Sequence, residues 1–388
     1  MPTFSIGIPC YGHPDHIAMT LMSVAIQTYR GFNVWMLDDG SPHGERYEAL
    51  AKQFSEFMPE PIHYLRFSNE GIAVQRQRIL DHVDGDYVIM IDDDDMEYHC
   101  ETLMTYKKNI DVQAQQGRIP DILHGQFVEA HLSGVRNPHQ PLEGSWVHGK
   151  AFRMKFIKDN KIGFDPRVKL WEDGFFVTWA SRLAQFQIAI PDIMYFWTAT
   201  ANSIVRSPEY ILRMLKYYAL AFWLNYQTLE PLKGRDNVID LIISQQVMCY
   251  FYTQGLERRF PADSPEIVET YKVLKESLEG SKLIDLINKD ERYYNAFKQV
   301  LQTGRMGAYA QDPYMIESES FNSWLNKHFN LSIKQLENGA IQGVRAEVLT
   351  ESMFADQIGR TNAINSLQSN IHVKEKSNDT LPSTKTSN

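Results

Sequence analysis

Cysteine is scarce in this sequence: three residues in 388, Cys10, Cys100 and Cys249, far apart and without a Cys-x-x-Cys spacing. That argues against both a cysteine zinc site and a disulfide framework, and a reducing cytoplasm suits such a chain. Positive charge is also short. Lys and Arg total 39 against 48 Asp and Glu, a net charge of −9, which does not suit a general nucleic-acid coat. No stretch reaches the roughly 20 uninterrupted apolar residues of a membrane span. The closest, residues 237–252, is broken by Asp240, Gln245 and Gln246. The opening residues, MPTFSIGIPCYG, lack a basic segment and meet Pro9 too early for a secretory signal. No internal repeat is visible. The expectation is a cytoplasmic protein with no integral membrane span, with peripheral contact at the inner membrane face left open.

What is present reads as alternating strands and helices. Apolar runs at 4–9, 32–37, 61–67 and 86–91 each end in turn or acidic residues, and helical periodicities over 13–29, 44–57 and 70–83 separate them. Short alternation of this kind predicts right-handed βαβ units and a mostly parallel sheet. Strands without polar alternation predict burial on both faces. Further strands are expected over 121–132 and 186–198, and a helix from Glu172. From about residue 208 helical periodicity dominates, with Ser207 as the expected N-cap and Pro208 at the first helical position. The last stretch is polar and lacks aromatics, so it is expected to be disordered. The expected organisation is an α/β domain over 1–207, a helical domain over 208–368 and a tail over 369–388.

Three acidic or turn motifs, IPCYGH, LDDGSP and MIDDDD, fall at the carboxyl ends of expected strands, where open α/β sheets bind ligands. In MIDDDD, Asp92 to Asp95 crowd four carboxylates together, which favours a bound cation. Oxygen donors without sulfur suit Mg2+ or Mn2+. Alternation along an extended chain would put Asp92 and Asp94 on one side, where a shared metal could bridge two phosphates of a nucleotide. A solvated acidic turn is the plain alternative. Asp39 in LDDGSP is either turn chemistry or an acceptor of hydrogen bonds from a base or ribose. Arg76 precedes Arg78 on a helix face and would neutralise a diphosphate, although a solvated face explains Arg78 equally well. Glu172 and Asp173 sit where they would either cap a helix or supply a general base that deprotonates an acceptor hydroxyl. His148 and Lys150, in HGKAFR, are candidates for the acceptor side of the same cleft.

Taken in order, SIGIPCYGH, LDDGSP, SNEGIAVQRQRIL, GDYVIMIDDDD and HGKAFRMKFIKDNKIGFDPRVKLWEDGFF resemble the family 2 glycosyltransferases, inverting enzymes of GT-A fold. The resemblance spans roughly residues 3–205. It implies a Rossmann-like nucleotide-sugar-binding domain and a divalent metal, Mn2+ or Mg2+. The donor it implies is a nucleoside-diphosphate sugar, by default linked to UDP. Pro9 and Tyr11 would border the base, Asp39 would contact it, and Arg76 would lie near the diphosphate. Asp92 and Asp93 would contact the nucleotide-sugar, with Asp92 also a metal ligand beside Asp94. Asp173, with Glu172 next to it, would take the proton from the attacking hydroxyl. The sequence departs from the usual pattern at Gln77, where Asn commonly follows the Arg, and at Gly12, where Asn often follows the Tyr. The four-membered acid run leaves the metal ligands open by one position.

The default acceptor of the family is a surface polysaccharide or lipopolysaccharide. A protein, a teichoic-acid-like polymer or a hydroxymethylated DNA base are alternatives. A nucleotidyltransferase would want a Gly-rich basic loop where this chain has PCYGHPDH, and a phosphohydrolase would want its paired Asp at the first strand. A non-catalytic nucleotide-sugar-binding or scaffold protein fits poorly with acids intact at all three motifs. Tyr217, Tyr218, Phe222, Trp223 and Tyr226 follow helical spacing. They read as packing, with acceptor stacking or an oligomer contact through the helical region as the sharper alternative.

Overall fold

In the computed structural model the described residues are 1–131, 136–141, 146–199, 209–309 and 315–336. Ser207, Pro208 and the tail over 369–388 lie outside them. Four strands build the first half of one sheet: β1 (Phe4–Cys10), β2 (Phe32–Asp38), β3 (His63–Arg66) and β4 (Tyr87–Met90). They pair in parallel in the order β3-β2-β1-β4. Helices α1 (Ile17–Ala25), α2 (Gly44–Phe54) and α3 (Ile72–His82) make the connections. Every residue of β1 and β4 is buried, as expected of strands covered on both faces. Helix α3 lies so close to β1 that a Cβ on Gly7 would come within 2.3 Å of the Ile79 side chain. Only glycine permits that approach.

The other half of the sheet is mixed. Beyond β4 follow β8 (Lys150–Arg153), β6 (Ile122–His131), β9 (Gln187–Ala199) and β5 (Met96–Glu97), with β7 (Arg136–His139) paired to β6. The β4–β8, β8–β6 and β5–β9 pairs are antiparallel, whereas β6 and β9 run parallel. The register of β6 against β9 slips between His124 and Phe127, next to Gly125, where a Cβ would strike Met194 at 2.0 Å. Strand β8 falls in the stretch whose sequence reads as turns and basic residues. It forms because Ala151 and Phe152 are buried between β4 and β6. Helix α4 (Thr102–Gln115) has an apolar face too sparse to announce itself: only Leu103, Tyr106 and Ile110 are buried hydrophobics on it.

After β8 come α5 (Met154–Asp159) and α6 (Glu172–Leu183). Helices α7 (Tyr210–Lys233), α8 (Ile239–Glu257), α9 (Pro265–Ser281), α10 (Leu283–Lys289), α11 (Glu291–Tyr309) and α12 (Phe321–Phe329) follow β9. They share a core that includes Ile242, Val247, Phe251, Leu274, Phe297 and Trp324. The helical region packs through Ala221 and Leu224 on Val168 and on Phe175 of α6, and Asn225 donates to the Phe175 carbonyl at 3.2 Å. Among the described residues no helix is long and apolar enough to cross a membrane.

Candidate active site

The carboxyl ends of β1, β2 and β4 lie side by side, with Cys10 paired to Asp38 and Gly7 to Met90. A cavity of about 720 Å3 opens there. Pro9, Tyr11, Asp39, Arg76, Asp92, Asp93, Asp94, His148, Glu172 and Asp173 all line it. The structure therefore gathers every expected site residue except Lys150, which is buried in β8.

The four aspartates do four different things. They are not extended: the Asp95 amide donates to the Asp92 carbonyl at 3.1 Å, so the chain turns and simple alternation does not decide which carboxylates meet. Asp92 accepts from Arg76 at 2.6 Å, and its other oxygen lies 3.6 Å from His148 Nε2. Burial works to raise the Asp92 carboxyl, but Arg76 and then His148 outweigh it and hold the group below its ordinary range. Asp93 accepts from the Tyr11 amide at 3.0 Å and from the Tyr47 hydroxyl, and meets His13 Nδ1 at 3.0 Å. Asp95 accepts from the Tyr195 hydroxyl at 2.6 Å and the Thr198 amide at 2.7 Å. Those two fix the loop to its surroundings. Asp94 has no side-chain partner of its own among the described residues; burial, then Asp92 and Asp93, push its carboxyl up to about 6.

Arg76 is buried, and both its terminal nitrogens are taken, one by Asp92 and one by Glu172. The guanidinium thus ties α3 to the end of β4 and to the first residue of α6. Its single positive charge is shared between two protein carboxylates. Glu172 is pushed up to about 7, first by burial, with Arg76 opposing and Asp173 adding. Asp173 accepts from the Gly174 amide at 2.7 Å. Its carboxyl is raised, chiefly by burial, against the opposing pull of Arg76 and His148. A raised carboxyl is the property a general base needs near neutral pH.

Local backbone geometry presents these acids. Trp171, just before α6, adopts φ 64°, a costly conformation for a bulky residue. Its indole is held by Phe222 at 5.4 Å and Tyr218 at 4.9 Å. A Cβ on Gly174 would come within 2.5 Å of that indole, so the glycine after Glu172 and Asp173 makes room for it. Tyr218 and Phe222 accordingly pack, as their spacing suggests, and Tyr217 faces the cavity.

Asp39 is buried at the end of β2. Its oxygens accept from the Glu70 amide at 2.9 Å and the Gly71 amide at 2.8 Å, which fixes the loop leading into α3. His148 stacks on Tyr195 at 4.5 Å and 9°. Lys150 makes no ion pair or hydrogen bond through its side chain among the described residues. Burial pulls it down to about 8, and the nearby Asp173 opposes that pull.

Among the described residues, two groups of ligand atoms converge within 4.8 Å: His13 with Asp93 and Asp94, and Asp92 with Asp95 and His148. Their carboxylate oxygens suit Mg2+ or Mn2+, whereas the imidazole nitrogen in each set is a donor that softer ions such as Zn2+ prefer. Asp94, crowded by acids and unpaired, is the donor that a divalent cation would relieve. Sequence reasoning gave no role to His13, Trp146, Lys169, Trp171, Trp197, Tyr210, Arg213 or Lys216, which also line the cavity. Most of these come from segments with no acidic signature to flag them.

Residues 5–166 match the family described as Glycosyl transferase family 2. Glycosyltransferase GlyA of Streptococcus pneumoniae is 32% identical over 109 residues, covering 28% of this chain and 15% of that protein. The minor teichoic acid biosynthesis protein GgaB of Bacillus subtilis is 25% identical over 185 residues, covering 44% of this chain and 20% of that one. The chain thus matches a fifth or less of the length of either relative. The crystal structure of S. aureus TarS 1-349 in complex with UDP-GlcNAc superposes with a TM-score of 0.58 at 18% identity, covering 79% of this chain and 92% of that one. At that identity the likeness concerns the fold, which is of GT-A type. The chain therefore carries a family 2 glycosyltransferase domain over residues 5–166.

Proposed function

We propose that the protein transfers a sugar from a nucleoside-diphosphate donor, UDP-linked in the first instance, to a hydroxyl of a surface glycan or teichoic-acid-type polymer, with inversion. The observation that carries the reading is the single cavity joining the strand-end acids to Asp173. The TarS structure named for its UDP-GlcNAc complex and the teichoic acid role in the name of GgaB support the donor and acceptor classes.

In this reading Pro9, Tyr11 and Asp39 border the base. Asp94, with Asp92 beside it, would hold Mn2+ or Mg2+, which would supply positive charge against the diphosphate. Arg76 acts as a positioning residue, keeping Asp92 and Glu172 in place. The Gln75 amide nitrogen, buried in the cavity lining without a partner, is a donor available to the ligand. Asp173 takes the proton of the acceptor hydroxyl as its oxygen forms the new bond to the anomeric carbon. The bond from that carbon to the diphosphate oxygen breaks on the opposite face, and the electron pair leaves with the diphosphate. No covalent intermediate on the protein is required.

Incubation with a panel of UDP-sugars and Mn2+, with UDP release as the readout, tests the proposal. Release is expected for at least one sugar, and loss of release on chelation. Absence of release from every sugar, with or without metal, would overturn it.

A further inference from the structure

The cavity has two walls of different chemistry. One, from Pro9 to Asp94, is built on the strand ends. The other is built from Trp146, Trp171, Trp197, Tyr210 and Tyr217, with the cations Lys169 and Arg213 among them. Lys169 stands four residues before Asp173, and Arg213 one helical turn after Tyr210. Both are exposed and make no ion pair or side-chain hydrogen bond among the described residues. Three other cations nearby are paired: Lys216 with Glu269, Lys155 with Asp159, and Arg153 with Asp121. In the basic stretch over 150–161, Arg153 and Lys155 are thus paired, and neither Lys158 nor Lys161 lines this cavity. Glu172, Asp173 and Glu266 are the acids beside them.

We infer that this second wall is the acceptor subsite, and that it takes a hydroxyl-rich chain bearing repeated negative charge. The inference rests on the glycosyltransferase reading and adds the acceptor's chemistry to it. The base must touch the acceptor hydroxyl, and Trp171, Glu172 and Asp173 are consecutive, so the acceptor lies against this wall. Aromatic faces suit the apolar faces of sugar or polyol units. Unpaired cations beside a base in a chain of net charge −9 suit phosphodiester or carboxylate groups, with a stated cost in salt.

Binding of three probes to the full chain separates the cases: oligo(glycerol phosphate), oligogalacturonate and neutral dextran, each with UDP and Mn2+ present. The expected result is saturable binding of one or both anionic probes, no binding of dextran, and at least a tenfold weakening in the double variant Lys169→Gln, Arg213→Gln. The probe that binds identifies phosphate or carboxylate as the source of charge. Dextran binding as tightly as the anions, failure of all three to bind, or an unweakened double variant would overturn the inference. UDP affinity of the double variant is measured alongside. A tenfold loss there would assign the two cations to the donor diphosphate, overturning the acceptor subsite while leaving glycosyl transfer intact.

Discussion

Arg76 and Glu172 form a buried ion pair across 96 positions of sequence. With Asp92 on its other nitrogen, Arg76 holds three elements at the mouth of the cavity. Removing it leaves two carboxylates facing each other without counter-charge. Arg76→Met is expected to cost about 3–5 kcal/mol of stability, the usual cost of breaking a buried pair. Adding Asp92→Asn and Glu172→Gln to that variant should restore part of it. Thermal unfolding is the readout; an Arg76→Met variant as stable as the wild type would show that the bridge does not hold the site.

Asp173 is the expected base. Asp173→Asn should lower transfer by about 10² or more, the usual scale of general-base catalysis, while UDP affinity stays within a few-fold. Steady-state transfer and UDP titration check the two halves separately. A variant that retains near-normal turnover would move the base elsewhere, with Glu172 first in line.

Glu97 makes a prediction away from the chemistry. It is buried, Oε1 has no partner, and burial pushes its carboxyl up to about 8 from an ordinary value of 4.5. The folded state therefore binds this proton more tightly between those values, and stability falls as pH rises through that window. Glu97→Gln should raise the unfolding free energy at pH 8 more than at pH 4.5, by at least about 1.4 kcal/mol, the worth of one pKa unit. Equal effects at both pH values in denaturant titrations would contradict the assignment.

Much of the first half of the fold is legible in the sequence because its strands are continuous apolar runs closed by turn residues. Phe4–Cys10 and Tyr87–Met90 are of this kind. The acids at the strand ends are legible for the same reason: a charge cluster directly behind a buried strand can only lie at the sheet's edge. The division of labour among Asp92 to Asp95 is not legible, because it depends on partners as distant as Tyr47 and Tyr195. The engagement of Arg76 by Glu172 is hidden in the same way. Lys150–Arg153 escapes notice as a strand because its basic ends mask two buried residues, Ala151 and Phe152. The aromatic wall escapes because Trp146, Trp197 and Tyr210 come from three separate segments whose convergence is purely tertiary.

The most direct test is a calorimetric titration of UDP into the wild type and into Asp94→Asn, each with and without Mn2+. The account predicts that Mn2+ strengthens UDP binding at least tenfold in the wild type, and that the aspartate variant loses this gain. Wild-type protein that ignores UDP in the presence of Mn2+, or an Asp94→Asn variant that keeps the full metal effect, would contradict it.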